Sequence, residues 1–356
     1  MKTRNLIFYV IPLLFSVTSC GNSEGPAKKA YFTLWNENVS TSLTTLKNFV
    51  NDVTDEKSKN FIPVEDRIAT FDMDGTFVGE LYPTYFEYNL LEYRVFDDPS
   101  YKDKAPASVK EAAQTIRDYA RGVITEFPKG FDMTHANAAA EAYSGMSVKD
   151  FDKFVKDYAK KDANGFKNMT YGESFYKPML EVFDYLKDYG FTSYVVSGSD
   201  RYICRALTES IGIEPNHVIG MDVELKSSKQ GDADGVDYTM GSDEYLVRTN
   251  KLIIKNLKTN KVKQISQEIG KVPVLSFGNS SGDSAMHNYC KSNDKYRSEV
   301  FMLIADDEVR DHANLVETAK RKAAWEEAKY NIISMKDDFK TIYGDGVEKT
   351  DFHFDD

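Results

Sequence analysis

Five short apolar, β-branched runs, at residues 67–72, 192–197, 272–277, 300–305 and 331–334, recur along the chain with segments of helical periodicity between them. Strands separated by helices pair in parallel, because a helical crossover returns the chain to the same end of the sheet. The alternation therefore predicts an α/β fold, a parallel sheet with helices on both faces. The stretch between the first two runs has helical periodicity and little strand character, which predicts an inserted helical domain. Its helices are expected over 82–95, 107–121, 134–142 and 148–159, the last capped by Ser147 with Asp150 in its first turn. After Gly172, residues 175–189 read as a helix that stops at Gly190. Residues 217–249 have a different texture, with Val223-Glu224-Leu225 and Tyr238-Thr239-Met240 flanking a polar run from Gly231 to Gly235. That pattern predicts a β-hairpin. Its glycine falls at the wrong position for a calcium loop.

The first nineteen residues are set apart by Lys2 and Arg4 followed by an apolar run over 6–17, too short to span a bilayer. They read as a signal peptide. Val17-Thr18-Ser19-Cys20 resembles the lipobox of bacterial lipoproteins, which implies cleavage before Cys20 and its acylation. The polar, turn-rich residues 21–26 suit a tether. The resemblance implies a body in the cell envelope, periplasmic or extracellular, that meets a membrane only through its lipid. The chain carries 45 basic and 56 acidic side chains, and losing Lys2 and Arg4 moves the net charge from −11 to −13. That balance argues against nucleic acid as a partner. Beyond Cys20 only Cys204 and Cys290 remain, too few for a disulfide framework. The domains expected are a signal peptide (1–19), a tether with an N-terminal helical segment (20–60), a core (61–80 and 177–343), the helical insertion (81–176) and a solvated acidic tail (344–356).

The first run ends in Phe71-Asp72-Met73-Asp74-Gly75-Thr76, two carboxylates where the chain leaves the sheet, at the end of an open α/β sheet where ligands bind. This segment matches the first motif of the haloacid dehalogenase superfamily, and other segments fall into that family's order. Residues 191–200, with Val195-Val196-Ser197-Gly198-Ser199, resemble the second motif. Gly278-Asn279-Ser280-Ser281-Gly282-Asp283 resembles the fourth. The third motif is a lysine ahead of the fourth, for which Lys261, opening a helix that runs to Ile269, is the first candidate, with Lys263 and Lys251 behind it.

The resemblance implies a Rossmann-like core with a helical cap, similar to the phosphoserine phosphatase branch, and hydrolysis of a small-molecule phosphate ester. Asp72 is the nucleophile it implies. A negatively charged ester repels a carboxylate, so a divalent cation must lie between them. Mg²⁺ is expected, held by Asp72, the Asp74 backbone carbonyl, Asn279 and Asp283. Ser197, Gly198 and Lys261 would hold the phosphoryl oxygens. Asp74 would protonate the leaving alkoxide and then deprotonate water, which favours ester chemistry. Asn279 departs from the family pattern, which has an acid there, and removes one anionic ligand.

Glu80 stands where relatives often place an acid facing the leaving group, which suits an amine or choline group. Tyr82, Tyr85, Phe86, Tyr88, Tyr93 and Phe96 follow, a set that can cage a quaternary ammonium or form core. Arg94 in the same helix reads as a pocket or a solvent-side charge. The five histidines show no metal-ligand spacing. Two rival readings stay open: a phosphotransferase, and a catalytically inactive lipoprotein that uses the same fold to bind.

Overall fold

The apolar runs become strands whose order puts the first at the centre. The computed structural model describes residues 30–354, so the signal peptide, Cys20 and the tether lie outside the described residues. The strands are β1 (Ile68–Phe71), β2 (Phe166–Lys167), β3 (Thr192–Asp200), β4 (Val218–Ser227), β5 (Leu246–Ile254), β6 (Leu275–Gly278), β7 (Glu299–Ile304), β8 (Asn331–Ser334) and β9 (Glu348–Lys349). The longer helices are α1 (Thr41–Thr54), α2 (Phe86–Phe96), α3 (Ala107–Ala120), α4 (Phe131–Ala142), α5 (Val148–Ala159), α6 (Lys177–Asp188), α7 (Arg201–Thr208), α8 (Thr259–Glu268), α9 (Ser284–Lys291) and α10 (Leu315–Glu327). Seven strands form one sheet in the order β5-β4-β3-β1-β6-β7-β8. All neighbours are parallel except β5, which runs antiparallel to β4. This is the α/β class that the alternation predicts.

From β1 the chain builds outward through β3 and β4 on one side, then returns to β6 and builds through β7 and β8 on the other. The crevice at such a switch point lies beyond the carboxyl ends of β1, β3 and β6. Packing fixes those ends relative to one another. The Phe71 ring lies between Phe183, at 4.2 Å, and Phe277, at 4.3 Å, and Phe277 stacks on Phe301 at 5.0 Å. Each such pair contributes about 0.5–1.5 kcal/mol beyond the area it buries. The residues following Phe71 and Phe277 are the two motif loops.

Local signals set the helix ends. Ser147 caps α5 by accepting from the Asp150 amide at 2.9 Å, and α6 is followed by Gly190 at φ +76°. The helix expected from residue 82 starts instead at Phe86. Asn89 Nδ2 donates to the Tyr82 and Thr84 carbonyls at 2.9 and 3.1 Å, holding that entry as a loop, and Pro83 lacks the N–H a helix interior needs.

The hairpin expectation requires correction. The partner of β4 is not residues 238–240 but β5, with Val223 opposite Leu252 and Leu225 opposite Arg248. A buried charge hid this strand. Arg248 is 1% exposed, bonded to Asp200 at 2.6 Å and seated over the Phe151 ring. The chain end also departs from a solvated tail: β9 pairs with β2, Phe352 stacks on His312 at 4.0 Å, and Asn164 holds both the N–H and the carbonyl of His353. From Phe32 onward the described residues form one compact unit that includes the insertion. Among the described residues no helix is long and apolar enough to cross a membrane, and Cys204 and Cys290 are both buried free thiols.

Candidate active site

Asp72 is delivered by the sheet itself, its N–H donating to the Phe277 carbonyl at 2.9 Å as the last rung beside β6. The turn that follows needs Gly75, at φ +78°, whose N–H closes onto the Val78 carbonyl at 2.7 Å. Asp74 is thereby brought back over the same crevice. A cavity of about 80 Å³ there is walled by Asp72, Asp74, Gly198, Lys261, Asn279 and Asp283 among others. Segments spread over more than two hundred residues of chain meet at this one place.

Lys261, in the first turn of α8, is 1% exposed, and its Nζ donates to Asp72 Oδ1 at 2.5 Å and Asp283 Oδ1 at 2.7 Å. Neither alternative lysine reaches the site: Lys263 bonds Asn260 and Lys251 pairs with Glu224 at the surface. Burial and the Asp283 charge push the Asp72 carboxyl up against the pull of Lys261. Burial acts the same way on Asp283, but Lys261 and His287 outweigh it and hold that carboxyl below its usual range. Asp283 Oδ2 accepts from the Asn279 and Ser280 amides at 3.2 and 3.1 Å, so this carboxylate also shapes the loop.

Asp74 has a different environment. Ser199 Oγ donates to its Oδ2 at 2.7 Å, while its Oδ1 is buried without a hydrogen-bond partner. Burial pushes this carboxyl up to about 7, with Ser199 pulling down and the Glu87 and Glu80 charges adding to the rise. Ser199 and Ser280 lie on the cavity wall, and Ser197 does not. Ser197 is wholly buried; its Oγ accepts from the Ser199 amide at 3.1 Å and its carbonyl from Asn256. The physical reason is that β3 runs on to Asp200, three residues past the strand end read from the sequence.

The donors available to a cation are the Asp72 carboxylate, the Asn279 carboxamide and the Asp74 carbonyl. Asp283 departs from the expected ligand set, since both its oxygens are committed to Lys261 and to the loop. Among the described residues no group of three or more His, Cys, Asp or Glu could hold a metal ion. The remaining donors are all hard oxygens and suit Mg²⁺ rather than a softer metal. With a single carboxylate among them, phosphate oxygens and water would complete the shell.

Glu80 lies in an adjoining chamber of about 220 Å³ that shares Tyr85 and Asn279 with the first cavity, and Gly75, Tyr119, Phe127 and Arg321 also line it. Burial pushes the Glu80 carboxyl up to about 7, against the Arg321 charge and the Asn279 hydrogen bond. Of the aromatic set, Tyr85 lines both cavities and Tyr88 the smaller one, whereas Tyr82 and Phe86 are wholly buried core. Arg94 is buried and paired with Asp98, not solvent-side. His135 and His287 are buried structural side chains, with burial holding His287 down at about 4.

Sequence reasoning missed Lys255 and Glu87, which line the smaller cavity and pair at 2.8 Å. Glu87 also accepts from the Asp200 amide at 3.1 Å, tying α2 of the insertion to the core. Lys255 follows directly on β5, so recognising that strand was the signal that would have found it.

Neither a family model nor a curated protein sequence matches the chain. Among solved structures, the chain resembles a conserved, functionally unknown protein from Anaerococcus prevotii at 13% identity and a TM-score of 0.51, covering 92% of this chain and all of that one. A cytosolic 5′-nucleotidase bound to cytidine aligns at 13% identity and 0.49, over 83% of this chain and 86% of that one. A phosphoserine phosphohydrolase-like protein from Francisella tularensis aligns at 15% identity and 0.40, over 75% and 94%. The first likeness bears on the fold alone, and the other two fall below the level at which similarity carries an argument.

Proposed function

We propose that the chain is a Mg²⁺-dependent phosphomonoester hydrolase that works through an aspartyl-phosphate on Asp72. The observation that carries this is the pairing of two unlike carboxyls in one cavity. Asp72 is gripped by Lys261 through Oδ1, and its Oδ2 is approached by Thr76 Oγ1 only at 3.5 Å. Asp74 offers a buried, unpartnered Oδ1.

On this reading, Asp72 Oδ2 attacks phosphorus, the phosphorus–ester oxygen bond breaks, and Asp74 gives its proton to the departing alkoxide. Asp74 then takes a proton from the water that attacks the aspartyl-phosphate, which releases phosphate and restores Asp72. Bound Mg²⁺ would offset the charge between ester and nucleophile. Lys261 serves as a fixed cation beside both the nucleophile and the phosphoryl group, and Ser199 holds Asp74 in place. The alcohol portion of a small phosphorylated metabolite fits the adjoining chamber, where Glu80 and Tyr85 favour an amine or a choline group.

The neutral Asn279 favours a second reading, binding without turnover. Incubating the protein with Mg²⁺ and a panel of phosphomonoesters, including amino and choline esters, separates the two. Phosphate release that an Asp72→Asn variant lacks supports the enzyme, and equal release from both variants sinks it. Added alcohol exposes transfer in place of hydrolysis. We further propose a lipid anchor at Cys20, for which a Cys20→Ser variant should leave the membrane fraction; unchanged fractionation would contradict it.

A further inference from the structure

Building on the Mg²⁺-dependent reading, we infer that Glu80 is a positioning residue that orients the Asn279 carboxamide so that its oxygen, not its nitrogen, faces the cation. A carboxylate presents an oxygen to a metal whichever way it turns. A carboxamide presents an oxygen on one edge and an NH₂ on the other, and the NH₂ edge cannot ligate. A neutral residue at this place therefore needs something that fixes its flip.

Two features at its nitrogen edge do so. Asn279 Nδ2 donates to Glu80 Oε2 at 3.1 Å, and the ionised form of a carboxyl group can only accept, so with Glu80 ionised this contact selects the nitrogen edge. Gly75 supplies the space. A Cβ there would stand 1.8 Å from Asn279 Nδ2 and 2.6 Å from Glu80 Cδ, so the amide and the carboxylate together fill the volume a side chain would occupy. With Nδ2 held on the Glu80 side, Oδ1 is the atom left for the cavity that Asn279 shares with Asp72. Partners that orient a ligand in this way typically change metal affinity 10- to 100-fold when removed.

The test is calorimetric titration of the purified protein with Mg²⁺ alone, without substrate. Glu80→Met removes the acceptor and should weaken binding about tenfold or more, whereas Glu80→Gln keeps an amide oxygen for Nδ2 and should stay within about threefold of wild type. In an Asn279→Asp background the flip no longer matters, so Glu80→Met should not weaken Mg²⁺ there. This pair also keeps the test informative if the single Met variant folds poorly. Unchanged affinity in Glu80→Met overturns the inference, as does equal weakening by Gln and Met, which would assign Glu80 a charge role. Wild-type protein that binds no Mg²⁺ refutes the metal reading itself, and the inference falls with it.

Discussion

Replacing Lys261 with Met removes a cation from a site that is 1% exposed and leaves Asp72 and Asp283, each bonded to its Nζ, facing one another without a counter-charge. Removing one partner of a buried ion pair costs about 3–5 kcal/mol, because the remaining charge stays desolvated. An unfolding entropy of about 2.1 cal/mol/K per residue over roughly 325 residues converts that cost into a fall of about 4–7 °C in melting temperature. The sign of its pH dependence follows from the geometry. Without Lys261 the two carboxyls are raised acids, so the penalty is full at high pH and shrinks as one takes up a proton on acidification. Thermal melts of wild type and Lys261→Met, in chelator so that no cation substitutes for the ammonium, should show a wider gap at pH 8 than at pH 5.5. A gap under about 1 °C at both, or one that widens toward low pH, would show that Lys261 does not neutralise this carboxyl pair.

Three further changes test other parts of the structure. Ser199→Ala removes the hydroxyl that holds Asp74 and should lower kcat/KM at least about tenfold more than Ser197→Ala; the reverse ranking would restore Ser197 to the site. Arg248→Met strands Asp200 in the core and should cost about 3–5 kcal/mol in urea denaturation; a loss under 1 kcal/mol would show the pair to be dispensable. Asp311 is buried and pushed up to about 7, chiefly by desolvation. Since its folded pKa lies above the ordinary 3.8, its ionisation subtracts stability as pH rises from about 4 to about 7. Asp311→Asn should therefore stabilise the protein at pH 8, by at most about 4 kcal/mol, and leave it unchanged near pH 4. Destabilisation at pH 8 would contradict this.

Strands β1, β6, β7 and β8 were legible because each is a short apolar run flanked by helix, and the site residues follow their carboxyl ends by topology. Strand β5 was not. Its Arg248 and Lys251 interrupt the apolar alternation, yet Arg248 is buried because Asp200, from another strand, neutralises it. Missing β5 hid Lys255 beside the cavity, together with its partner Glu87. The place of Ser199 beside Asp74, two residues beyond the expected Ser197, has a similar origin: a strand end is poorly marked in Val195-Val196-Ser197-Gly198-Ser199, where small polar residues suit strand and turn alike. The docking of the C-terminal segment includes two-residue pairing between β2 and β9, one stacked ring and the Asn164 bonds to His353, contacts that leave no periodic trace.

Hydrolysis through Asp72 requires that this side chain carry the phosphoryl group during turnover. Acid quenching during turnover of a phosphomonoester, followed by peptide mass mapping, tests it most directly. A phosphoryl adduct is expected on the peptide containing Asp72, accumulating when Asp74→Asn slows its hydrolysis and absent in Asp72→Asn. Turnover that leaves Asp72 unmodified in the wild type and in Asp74→Asn, and that survives Asp72→Asn, would contradict it.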